Sequence, residues 1–94
     1  MTTIKNALAK INQLESAIRP YVGYASEVSQ ILKNLAQLKN LIKDPSSENI
    51  DLALKMIKDS EQLFEPYRTM PQVAPLFKTL KGLTEDLKDA KKEI

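Results

Sequence analysis

The chain has no cysteine and no histidine, and only two glycines, Gly23 and Gly82, in 94 residues. Without cysteine there is no disulfide, no thiolate zinc site and no thiol nucleophile, a composition that fits a reducing compartment and gives a cytoplasmic expectation. Without histidine the usual proton shuttle at neutral pH is missing. So are the Glu-x-x-His pairs of a di-iron bundle and every nucleophile scheme that relies on an imidazole base. Two isolated glycines make no phosphate-cradling loop. No run of about 18 unbroken apolar residues occurs, which excludes a membrane-spanning helix. These absences point away from an enzyme, with no cofactor and no metal expected.

What is present is balanced. Apolar residues make up 43% and charged residues 28%, which suits one globular domain covering residues 1–94. The net charge of +2 comes from lysines and carboxylates interleaved along most of the chain, so nucleic acid is not the expected partner. Lys5, Lys10 and Arg19 against Glu15 give the first 19 residues a faint transit-peptide character. The same stretch is echoed inside the chain, and it is read as part of the fold.

That echo is the strongest pattern. An offset of 46 lays Ile4, Ala7, Leu8, Ile11, Glu15, Pro20 and Tyr21 on Ile50, Ala53, Leu54, Ile57, Glu61, Pro66 and Tyr67. After one dropped residue, an offset of 45 lays Val28, Lys33, Leu35, Leu38, Lys43 and Asp44 on Val73, Lys78, Leu80, Leu83, Lys88 and Asp89. Residues 4–44 and 50–89 thus read as two copies of one supersecondary unit.

Apolar residues recur in steps of three and four, the spacing of a single helical stripe. The four runs are Ile4, Ala7, Ile11, Leu14, Ile18; Val28, Ile31, Leu35, Leu38, Ile42; Ile50, Ala53, Ile57, Ser60, Phe64; and Val73, Leu76, Leu80, Leu83, Leu87, Ala90. Asp44-Pro45-Ser46-Ser47 is a turn in which Ser46 or Ser47 caps the third helix. Pro66 and Pro71 bracket a second break, with Thr69 and Gln72 spaced as a capping box for the fourth helix and Pro75 able to shift its start. The break at Pro20 follows from its twin at Pro66.

Four helices joined by short connections predict an all-α, up-down-up-down four-helix bundle made of two duplicated hairpins. The alternative is an elongated antiparallel rod kinked at Pro20 and Pro66. Helices broken by mid-length prolines resemble the N-terminal helical segments of exocyst-type vesicle-tethering subunits, and size and basic charge are similar to those of small helical immunity proteins. These likenesses cover helical rhythm, size and charge, and imply no functional residue.

Three features are candidates for function. Glu15 and Glu61 share a repeat position and could pair as carboxylates, but each lies at the edge of its stripe, where a carboxylate is expected to be solvated. The run Ile31–Lys43, with Lys33, Lys39 and Lys43 and no acid between Glu27 and Asp44, has the makeup of a basic amphipathic helix for an anionic membrane surface. Its bland counterpart is a core helix with a lysine-bearing outer face. Third, an up-down bundle brings both Pro-Tyr turns to one end, gathering Tyr21, Tyr24, Phe64 and Tyr67 with the chain's two arginines, Arg19 and Arg68. Tyrosine and arginine dominate binding hot spots, so Arg19, Tyr21, Tyr24, Tyr67, Arg68 and the adaptable Met70 form the expected docking face for a protein partner. The same residues could close the bundle as an aromatic plug with arginine stacked on tyrosine, Phe64 being the buried member. Membrane-surface binding and self-association into a homo-oligomer are the alternative functions.

Overall fold

The computed structural model describes residues 2–94. Four helices follow one another: α1 (Thr2–Ile18), α2 (Ser26–Lys43), α3 (Ser47–Phe64) and α4 (Ala74–Glu93). They form a square up-down-up-down bundle in which α1 touches α2 and α4, and α3 touches α2 and α4. The radius of gyration is 12.7 Å, and the molecule measures 39 × 20 × 19 Å. A compact chain of about 100 residues has a radius near 13 Å. The rod is therefore not the architecture.

The core follows from the stripes. Every buried residue except Glu15 belongs to one of the four three-four runs. Of those runs only Val28 and Val73 stay half-exposed, and the 45-residue offset relates them. Each large buried aliphatic side chain contributes roughly 1.5–3 kcal/mol, which offsets part of the entropy of ordering the helices.

Helix ends obey local chemistry. Ser46 caps α3, its Oγ accepting from the Asn49 N–H at 3.1 Å, while the Asn49 amide donates to the Asp44 carbonyl at 2.8 Å and so ties the turn to the helix it precedes. The expected Thr69–Gln72 capping box does not form. Val73 is the N-cap of α4 and has no side-chain bond. The N–H groups of Val73 and Ala74 both donate to the Met70 carbonyl at 3.0 Å, and that of Leu76 to Val73 at 2.8 Å. Pro71 and Pro75 have no N–H to offer. Backbone carbonyls thus take the donors a capping side chain would have used, and Pro75 sits in the first turn, where its missing N–H costs nothing.

The proline breaks are a matched pair. Arg19–Tyr21 and Glu65–Tyr67 each form one turn of 3-10 helix. The bonds Val22 N–H to Arg19 and Tyr24 N–H to Tyr21 recur, 46 residues on, as Arg68 to Glu65 and Met70 to Tyr67. At the 45-residue offset, Val28 to Ala25 recurs as Val73 to Met70. Met70 thus does the work of both Tyr24 and Ala25, and the dropped residue of the repeat falls there.

Connection length then shapes the bundle. Arg19 to Ala25 and Glu65 to Val73 are long links at one end; Asp44 to Ser46 is a tight one at the other. α1 packs most extensively on α4, and α2 on α3, rather than within the two hairpins. The long-link end opens into a cavity; at the opposite end Thr3 donates to Glu93 at 2.9 Å and Lys91 pairs with Asp51 at 2.7 Å.

Candidate functional site

The cavity at the long-link end holds about 300 Å³. Its floor is the buried Ile18, Ile31, Phe64 and Leu76, and its rim carries Tyr21, Tyr24, Tyr67 and Met70. The lining has the symmetry of the repeat. Ile18 and Phe64, Tyr21 and Tyr67, Tyr24 and Met70, Val28 and Val73, Ile31 and Leu76 are all pairs related by the two offsets. Of the two further lining residues, Ala25 and Gln72, the latter has Glu27 as its counterpart in the first half.

The structure therefore brings Tyr21, Tyr24, Phe64 and Tyr67 together at one pole, as the topology requires. It adds Phe77, which the sequence reading leaves out although its place in the first turns of α4 puts it at the same end. Phe64 meets Phe77 edge-on at 6.0 Å, and the Tyr21 and Tyr24 rings lie 5.8 Å apart. The inner aromatics close the bundle while the outer ones face water: Tyr24 is 81% exposed, and Tyr21 and Met70 are also exposed. Plug and rim are thus two layers of one structure.

The arginines behave differently from each other. Arg68 makes a two-pronged bond to Glu65, Nε to Oε1 at 2.8 Å and Nη2 to Oε2 at 2.9 Å, and its guanidinium lies 4.1 Å from the centre of the Phe77 ring. It stacks on phenylalanine, not on tyrosine. The Arg68 bond, aided by its charge, holds the Glu65 carboxyl below the usual glutamate range against an opposing loss of hydration. Arg19 is exposed, and neither arginine lines the cavity.

Tyr67 is half-buried, and its hydroxyl donates to Glu27 Oε2 at 3.3 Å, joining α2 to the second turn. Loss of hydration first, then the Glu27 charge and this bond, raise the Tyr67 pKa above the ordinary phenol value. A raised phenol pKa contributes stability that is complete below the ordinary phenol pKa and lost as pH climbs through the raised one. Alkaline titration of tyrosinate absorbance is expected to show a late phase equal to one phenol. It disappears in Tyr67→Phe and moves earlier in Glu27→Gln.

The other candidates resolve otherwise. Glu15 is not solvated: it is buried and pairs with Lys39 of α2 at 2.7 Å. Glu61 is half-exposed on α3, beside Lys58, Gln62 and Glu65. In α2, Ile31, Leu35, Leu38 and Ile42 are core residues and Leu32 packs against them, while Lys33 and Lys43 are exposed. Most large apolar side chains of that helix are spent inside the bundle, and its exposed side carries Gln30, Lys33, Gln37, Asn40 and Lys43. No described helix is long and apolar enough to cross a membrane. No family model, curated protein or solved structure matches the chain.

Proposed function

We propose that this protein is a non-catalytic interaction module, an adaptor, that captures a protein partner at its aromatic pole. One observation carries the reading. Of the six large hydrophobic residues exposed among the described residues, four (Tyr21, Val22, Tyr24 and Met70) crowd around this one end; Leu52 and Ile94 lie apart. Clustered apolar exposure on a small bundle marks an interaction site, whereas scattered single residues do not. Tyrosine brings contact area at low entropic cost, methionine adapts to its shape, and the rigid turns below fix both. The absence of cysteine suits a reducing compartment, and the cytoplasm is the proposed location. A second copy of the chain is the other occupant the pole could take.

The test is capture with variants that leave the core alone. Tyr24→Ala and Met70→Ala together are expected to weaken capture at least tenfold, while Leu52→Ala, at another exposed apolar residue, on α3, leaves it intact. Capture unaffected by the pole pair moves the site elsewhere. Equal loss in all variants makes the binding non-specific. Sedimentation equilibrium of the free protein separates a foreign partner from self-association.

A further inference from the structure

The pole cavity differs from a simple apolar gap in one way. Its walls obey the repeat, but the charge beside them does not: Glu27 stands where the other half has the neutral Gln72. Glu27 lies one hydrogen bond behind the lining, its carboxylate reached by the Tyr67 hydroxyl at 3.3 Å. Among the described residues it has no ion-pair partner, the four pairs being Lys10–Asp86, Lys39–Glu15, Arg68–Glu65 and Lys91–Asp51. Arg68, the nearest arginine in sequence to the tyrosine that touches Glu27, is already neutralised by Glu65. The cavity thus joins an apolar floor, three tyrosine rings and, in the first turn of α2, one carboxylate with no ion-pair partner among the described residues.

Each part selects the same chemistry. A volume of about 300 Å³ is at the lower end of small-ligand pockets, room for one ring or a short alkyl chain rather than a fatty acid or a nucleotide. Ile18, Ile31, Phe64 and Leu76 offer that body no hydrogen bond, so it must be apolar. Tyrosine faces attract cations through the ring quadrupole, and a nearby carboxylate adds to the attraction where water is partly excluded. An anionic or strongly polar body would lose hydration and gain nothing from these walls.

We propose that the pole cavity binds a small amphipathic cation, an aryl- or alkyl-ammonium whose apolar body sits on Phe64 and Leu76 and whose charged head meets the tyrosine rim near Glu27. Cation binding does not rest on partner capture: it requires the cavity interior and Glu27, although the two readings share Tyr24 and Met70 on the rim.

The chain supplies its own reporter. It has three tyrosines and no tryptophan, and all three tyrosines line this cavity, so tyrosine fluorescence reads its occupancy without background. The probes are 4-phenylbutylammonium, 4-phenylbutanol and 4-phenylbutyrate, matched in body and differing in head charge. The cation is expected to change tyrosine emission saturably and to bind roughly three- to tenfold more tightly than the alcohol, with the carboxylate weakest. In Glu27→Gln the preference for cation over alcohol falls but stays above one, the remainder being the attraction of the tyrosine faces, while the alcohol's own affinity is kept and circular dichroism confirms the fold. Amide shifts on adding the cation fall on Tyr21, Val28, Tyr67 and Val73. Equal binding of the three probes, a preference untouched by Glu27→Gln, shifts located elsewhere, or no saturable change with any probe would each overturn the proposal. Partner capture that depends on Tyr24 and Met70 would survive all four of those outcomes, so the two readings fail separately.

Discussion

Leu14→Ala is expected to cost about 3–5 kcal/mol, the largest loss for any single residue considered. Leu14 is fully buried, one turn inside the cavity-floor residue Ile18, on the helix that α4 covers most extensively. Truncating it removes the transfer energy of three carbons and leaves an enclosed hole that neighbouring helices are too well packed to fill. Against a total stability on the order of 5–15 kcal/mol, this takes a large fraction from a domain of this size. Urea unfolding should show a lower midpoint at unchanged slope. The 46-residue offset pairs Leu14 with Ser60, which is equally buried, and that site should behave in the opposite way. The Ser60 hydroxyl donates to the Met56 carbonyl at 2.9 Å and accepts from the Asn34 amide at 3.4 Å. Asn34 is half-buried and also accepts from Gln30 at 3.0 Å, so it keeps a partner and reaches water when Ser60 is truncated. Ser60→Ala should cost about 1 kcal/mol or less. Near-equal losses at the two positions would show that the bundle treats them as the same core site.

Phe64→Ala is expected to cost about 3 kcal/mol, the low end for a buried aromatic, and for an instructive reason. Phe64 forms the cavity floor and the edge-on contact to Phe77, on whose ring Arg68 rests. Its removal therefore takes away apolar burial and one aromatic contact. The hole it leaves opens into space that already communicates with solvent, so water enters instead of a vacuum persisting. The same variant should lose all ligand-induced change in tyrosine emission. Phe64→Leu, which restores most of the floor, should recover most of the stability. A loss of about 5 kcal/mol, the high end for a buried aromatic, would mean the floor is sealed from the cavity.

Much of this architecture is legible in the residues because it rests on local rules. The three-four stripes name the buried set almost residue for residue, since burial on a helix is a matter of period. The Ser46-Ser47 pair announces a cap, which the structure assigns to Ser46, and Pro20 and Pro66 announce matching turns, because both are effects within a few residues of the chain. Where the structure departs from the helical wheel, the cause is most often a partner from another element. Glu15 looks solvated on its own helical wheel; its burial depends on Lys39 reaching across from α2. The bond from Tyr67 to Glu27 at the start of α2 is likewise invisible along the chain, since 40 residues separate them. Arg68 is the exception, because its Glu65 partner is three residues away and visible as an i,i+3 pair. Thr69 and Gln72 have the spacing of a capping box, but two prolines and the Met70 carbonyl settle that stretch first. The cavity has no motif at all. It exists because two links are long and one is short, a comparison that needs the whole chain.

The bond between Thr3 and Glu93 has a practical consequence. It holds the start of α1 beside the end of α4 on the face remote from the tyrosines. A few flexible residues could join those ends, and new ones could be cut in the loop beside Gly23, giving a permuted chain with every helix neighbour retained. A tether attached at either end would likewise hold the molecule by its base, leaving the rings pointed outward along its 39 Å axis for surface-based measurements.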